Sequence, residues 1–223
     1  LFAGIVFSYT RTPFFGVAAA IALLVWKRRL PIRPLLVVGA LLLVTSPVWT
    51  PTGFFDRFFS QKYMKEGSTP MRKEVYDMAF KLIAERPLLG FGYQRFGPEF
   101  LKRTTSDMGW EFERRDREGE EAAELLRAHN IYLDVTVLHG LVGALLLVGF
   151  FVCLLVELNH VAGAGPPGEA EMAVALMACL LTFFICGMGG HAQELKILWI
   201  LAGFAAGLRR VAYTPARTAG PNR

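Results

Sequence analysis

The stretch IYLDVTVLHGLVGALLLVGFFVCLLVEL, residues 131–158, decides how the chain is read. It is apolar almost throughout and longer than the ~20 residues a helix needs to cross the hydrocarbon core of a bilayer. A helix of a soluble protein would set an apolar stripe against a polar face, and this one does not. Working outward, Ala173 to Met188 and Leu195 to Leu208 form a closing pair of apolar runs, while Pro13 to Trp26 and Leu35 to Trp49 precede the long one. Leu1 to Ser8 reads as the tail of another span, its beginning expected upstream because the chain starts with Leu. With 53% hydrophobic residues and a mean hydropathy of +0.38, the expected solvent is the bilayer. The expected fold is all-α, a polytopic transmembrane helix bundle. It has spans in 1–50, an external segment over 51–130, further spans over 131–210 and a tail from 211 to 223.

Charge sets the expected orientation. Lys27, Arg28, Arg29 and Arg33 cluster between two spans, and Arg209, Arg210 and Arg217 follow the last one, so both ends are expected on the cytoplasmic side. That places Thr50 to Asn130 outside, Asn159 to Ala170 inside as a short loop, and the Gly189 to Glu194 turn outside. The formal charge of +5 does not point to nucleic acid, because the basic residues flank membrane segments and acids match them elsewhere. Cys153, Cys179 and Cys186 all lie in apolar runs and read as small core residues.

An external segment of this size is too long for a passive connector. Thr69 and Pro70 read as a cap and first-turn pair, and Val75, Met78, Ala79, Leu82 and Ile83 recur at helical spacing until Pro87 stops the run. The spacing predicts a helix whose one apolar face lies on the membrane or on the bundle. Pro87 to Tyr93 supplies a turn with two glycines. Glu111 to Arg127 reads as a second helix, densely charged with both signs and solvated.

Five residues could carry chemistry. Arg11, in Ser8-Tyr-Thr-Arg-Thr-Pro13, sets a permanent cation amid apolar sequence, at a cost on the order of a few kcal/mol, which marks a function by default. Its plain alternative is an arginine snorkelling to phosphate headgroups. A guanidinium binds phosphate oxygens through two parallel donors and stays charged at any working pH. Arg72 stands near the N-terminus of the predicted external helix, where free backbone N–H groups also favour anions; an ordinary surface arginine is the alternative. Arg95 follows the glycine turn. His129 and Asn130 lie just before the long span, at the external mouth of the bundle. The imidazole can take a proton from a sugar hydroxyl near neutral pH or donate to a phosphate, while Asn130 fits a helix N-cap. His139, within a span, and His191, in an external turn, are poorer candidates. No histidine or acid spacing matches a metal site, so no metal and no cofactor are expected.

Ser8-Tyr-Thr-Arg11, then Arg72-Lys-Glu-Val-Tyr-Asp-Met-Ala-Phe running into Pro87-Leu-Leu-Gly-Phe-Gly-Tyr93, then Ala128-His-Asn-Ile-Tyr-Leu133 and Gly140-Leu-Val-Gly143 together resemble the O-antigen ligase and polymerase family in order and spacing. That family often has Ser-Arg-Gly where this chain has Thr10-Arg11-Thr12. The resemblance covers nearly the whole chain and corresponds to the family's C-terminal half with its large helical periplasmic loop. It implies a GT-C-like, metal-independent, inverting glycosyltransferase of the bacterial inner membrane. The implied donor is an undecaprenyl-diphosphate-linked glycan, and the implied acceptor is the lipid A core, another glycan or a protein hydroxyl. The family's essential arginines fall on Arg11 and Arg72 and its essential histidine on His129; Arg95 and Asn130, read from their own positions and not from the resemblance, are expected as further substrate contacts. Two other classes stay open on the sequence: a transporter or flippase for lipid-linked oligosaccharides, and a non-catalytic membrane scaffold.

Overall fold

The computed structural model describes residues 12–50, 68–103, 128–189 and 196–213. Among these the regular elements are all α-helices: α1 (Thr12–Trp26), α2 (Ile32–Trp49), α3 (Ser68–Glu85), α4 (Phe96–Arg103), α5 (Ile131–Ala164), α6 (Pro167–Gly187) and α7 (Lys196–Tyr213). Of the described helices, α5 and α6 are long and apolar enough to cross a bilayer, whereas α1 and the Ile32–Ser46 part of α2 are apolar but shorter. The predicted Glu111 to Arg127 helix, Arg11 and His191 lie outside the described residues.

One expected boundary is corrected. The segment from Asn159 to Ala170 is not a loop. α5 runs on to Ala164, only Gly165 and Pro166 intervene, and Pro167 starts α6. Asn159, with which the expected loop begins, is accommodated on the helix surface by a partner, Lys27 Nζ donating to its Oδ1, and Glu157, two residues before it, pairs with Arg209 at 2.8 Å.

α6 lies among α1, α5 and α7. Gly16 lets α1 come close: a Cβ there would stand 3.0 Å from Thr182 Cγ2, and the Thr182 hydroxyl donates to the Gly16 carbonyl at 3.2 Å. Small residues that admit close backbone approach are what hold helices together where lipid is no less apolar than the side chains. Leu154, Leu158, Val161, Ala173, Leu180, Leu198, Ala202 and Ala205 fill the bundle core, and Phe151 meets Phe184 edge to face at 4.2 Å between ring centroids. Leu145, Leu146, Val152, Ile200 and Phe204 remain exposed, as side chains facing lipid would be.

A second, smaller core sits at the N-terminal end of α5. Val75, Met78, Ala79 and Leu82 of α3 close with Phe96 and Phe100 of α4 around Ala128, Val137 and Leu138. The predicted apolar face of α3 thus covers the bundle. Its helix begins at Ser68, so Thr69 and Pro70 fall in the first turn, and it ends at Glu85 just before Pro87 as the sequence requires.

α5 is broken at Gly140, where φ is 67° and ψ is −173°. The break removes two helical rungs, those that would join Leu141 N–H to the Val137 carbonyl and Val142 N–H to the Leu138 carbonyl. The Pro87–Gly92 loop replaces both. Phe91 N–H donates to Val137 O at 2.9 Å and Gly92 N–H to Leu138 O at 2.8 Å, while Leu141 N–H donates to Pro87 O at 2.7 Å and Val142 N–H to Leu88 O at 3.3 Å. Non-helical backbone inside an apolar segment survives only where protein satisfies its polar groups, and here all four are satisfied by one loop. The fit excludes side chains: a Cβ on Gly140 would lie 2.0 Å from the Leu88 carbonyl oxygen, and one on Gly90, at φ 67°, would lie 2.5 Å from that of Val137. Both elements of the sequence pattern, the two-glycine turn and Gly140, are therefore halves of a single joint.

Candidate functional site

His129 is presented by a short, well-tied turn. Asn130 is the N-cap of α5, its side-chain oxygen accepting from Tyr132 N–H at 3.0 Å and Leu133 N–H at 3.3 Å. Ala128 is fully buried against the α3 core, and its N–H donates to Asp134 Oδ1 at 2.7 Å. Between these anchors His129 takes a left-handed backbone conformation, φ 52°, and is exposed. Such a conformation is uncommon outside glycine and persists when its flanks are fixed. Asp134 is itself 0% exposed. Sequence reasoning missed it, although a lone acid inside an apolar run is a functional signal in its own right.

The N-terminal ends of α1 and α5 meet at the C-terminal end of α6. A Cβ on Gly187 would press on Ile131 Cγ2 at 2.7 Å, and one on Gly189 on Thr12 Oγ1 at 2.5 Å. Tyr132 Oη donates to the Phe184 carbonyl at 3.2 Å on the same side. Thr12, the residue after Arg11, therefore lies at the end of the bundle that carries His129. Arg72 is exposed on the first part of α3, one turn before Val75 on the face that buries Val75, Ala79 and Leu82. Arg72 and His129 thus flank one small core, next to its members Val75 and Ala128. Arg95 is exposed just ahead of α4, where its carbonyl accepts from Glu99 N–H at 3.0 Å.

Beside the break at Gly140 runs an apolar trough of about 800 Å³, lined among others by Leu89 and Tyr93, His139 and Leu146 of α5, and Phe150 with Trp199 at its far end. His139 thus faces the trough just before the break.

Arg103 locks the loop from behind. It donates from Nε and Nη2 to both Glu85 carboxylate oxygens at 3.0 and 2.7 Å, and from Nη1 to the Glu99 carbonyl and carboxylate. The hydrogen bond from Arg103 holds the Glu99 carboxyl below its ordinary value, and the bonds to Glu85 and Glu99 raise that of Arg103. Arg103 and Arg86 both stack on Phe91, at 5.6 and 4.9 Å from the ring centre. Among the described residues no three His, Cys, Asp or Glu side chains gather as metal ligands would.

These features define an all-helical chain, among the described residues, with two helices long and apolar enough to cross a membrane and a smaller unit, α3 and α4, fastened to one end of its bundle. A family model described as O-antigen ligase matches residues 1–148 of the 223, and the chain belongs to that family. The matched region takes in the whole of α3, α4, the His129 turn and the break in α5. No curated protein and no solved structure matches the chain. Membership implies glycosyl transfer at a membrane, of the O-antigen ligase or polymerase kind.

Proposed function

We propose that this chain forms the catalytic part of a GT-C-type glycosyltransferase. It moves a glycan from an undecaprenyl-diphosphate carrier to an acceptor hydroxyl at the periplasmic face of the inner membrane. What supports this reading is that chain-distant segments meet at one end of the bundle, Ile131 against Gly187 and Thr12 against Gly189, while the α3 core includes Val75, three residues after Arg72, and Ala128, the residue before His129. Arg11 and Arg72 hold the diphosphate and offset the charge that grows on it as it leaves. His129 takes the proton of the acceptor hydroxyl while its oxygen attacks the anomeric carbon from the face opposite the leaving phosphate. One C–O bond forms, the C–O bond to phosphate breaks, and the configuration inverts, without a metal or cofactor. Arg95 and the amide N–H2 of Asn130 add contacts to substrate, and the apolar trough below Tyr93 suits the first isoprene units of the carrier.

The test uses the full-length protein with a lipid-diphosphate-linked glycan and separate acceptors, a lipid A core or a second lipid-linked glycan. The acceptor that gains sugar distinguishes ligase from polymerase. Movement of the donor across sealed vesicles without any transfer would replace the reading with transport.

A further inference from the structure

His139 has no part in the transfer chemistry above, yet its surroundings are unlike those of a core histidine. It is exposed and lines the trough beside the break in α5, and among the described residues it has no hydrogen-bond or ion-pair partner. A Cβ on Gly143 would lie 2.3 Å from that of His139, so glycine at this position is what leaves the imidazole its place.

The level of His139 along α5 follows from the sequence. Residues 140–156 contain no charged, amide or hydroxyl side chain, and His139 and Glu157 bracket the stretch. At about 1.5 Å of rise per residue, His139 to Glu157 is roughly 27 Å, close to a hydrocarbon core ~30 Å thick. Glu157 meets Arg209 and Asn159 meets Lys27 at the far border, which sets His139 at the border nearer α3. From there the trough runs to Phe150 and Trp199, roughly 16 Å along α5 and about half the thickness of the core. Between these ends α5 lines it with Val142, Gly143, Leu146 and Leu147. The trough thus suits a single apolar chain of one leaflet whose polar head lies beside His139.

We propose that His139 is a binding residue for the lipid carrier. Its imidazole donates to an oxygen of the phosphate esterified to the isoprenoid, and the first isoprene units lie along Leu146 towards Phe150. An imidazole has at least one N–H to donate whether neutral or charged. Ile131, where α5 starts beside His129, is eight residues nearer the mouth, about 12 Å along the helix. That spacing leaves room for the second phosphate and the anomeric carbon between the two histidines, so His129 works at the sugar end of the diphosphate and His139 at the lipid end. A glycerophospholipid would bring two chains to one trough. This rests on the glycan reading for the identity of the carrier.

The experiment measures retention of undecaprenyl diphosphate by the full-length protein in detergent, by native mass spectrometry, for the wild type, His139→Phe and His139→Gln, together with KM for donor and acceptor. His139→Phe keeps a ring in the trough without a donor. It is expected to weaken carrier binding about tenfold or more and to raise KM for the donor by a similar factor, with KM for the acceptor unchanged. His139→Gln keeps an N–H and is expected to recover most of the loss. Binding indifferent to His139→Phe, or equally weak in both variants, overturns the proposal. Displacement of the carrier from the wild type by equimolar phosphatidylglycerol or inorganic diphosphate overturns it too, and that competition decides alone if His139→Phe fails to fold. Carrier binding that depends on His139 in a protein that transfers no sugar would keep the proposal and remove the glycan reading, whereas sugar transfer with carrier binding indifferent to His139 would do the reverse.

Discussion

Under α3 and α4 a handful of side chains close around the start of α5, and the backbone does much of the joining, four main-chain hydrogen bonds passing between the Pro87–Gly92 loop and the break at Gly140. Among α1, α5, α6 and α7 a larger set of aliphatic and aromatic side chains is joined by packing, with a few hydroxyl-to-carbonyl bonds such as Thr182 to Gly16. The first region is specified by a few irreplaceable backbone positions, the second by shape spread over many residues. The difference lies in what each joins: the first ties the turn that carries His129 and the loop beside it to α5, whereas the second packs helix against helix.

The largest effect is therefore expected from one small residue. Gly140→Val puts a branched side chain at φ 67° with its Cβ against the Leu88 carbonyl. It should cost about 3 kcal/mol or more and remove glycan transfer, read as folded yield and melting in detergent. Gly203→Ala, in open space, should leave melting unchanged. A next, smaller loss is expected for Asp134→Ala, which strands the buried Ala128 N–H at about 1–3 kcal/mol and frees the His129 turn. Asp134→Asn keeps an acceptor oxygen and should recover most of the transfer rate; equal damage from both would mean the carboxylate does more than hold Ala128. In the bundle, Leu180→Met at a fully buried position should cost less than about 1.5 kcal/mol, and a collapse there would erase the contrast between the two regions.

The smallest effect is a pH dependence confined to the first region. Glu99 has its carboxyl lowered from 4.5 by the hydrogen bond from Arg103. A depressed carboxylate contributes stability above its unfolded value and loses it as pH falls through the folded one. Protease resistance of the loop should thus decline as pH drops below about 4.5, and Glu99→Gln should flatten that decline.

Much of this was legible in the sequence, because long apolar runs and the Val75-to-Ile83 spacing report burial directly. α1, α5, α6 and α7 fall on the expected runs, and α3 ends where Pro87 requires. What escaped was local. A glycine within an apolar run gives no sign of a break, since glycine is common in membrane helices, and only the loop's four hydrogen bonds reveal Gly140 as a joint. Asp134 is hidden when hydropathy is averaged over its neighbours. Asn159 reads as the start of a loop because its partner, Lys27, lies far away in the chain. Of the candidate site, His129 and Asn130 stand at the mouth of α5 as expected, and Arg72 on the edge of the same core. The chemistry assigned to them remains to be measured.

That measurement is a double-substitution cycle on kcat/KM for glycan transfer by the full-length protein, with Arg72→Ala, His129→Ala and the two combined. If both groups serve one diphosphate and one attacking hydroxyl, each single change lowers the rate by about 10²–10⁴ and the pair is little worse than the more damaging single, as for residues that act as a unit. Wild-type transfer by either single variant, or losses that multiply in full, would contradict the account.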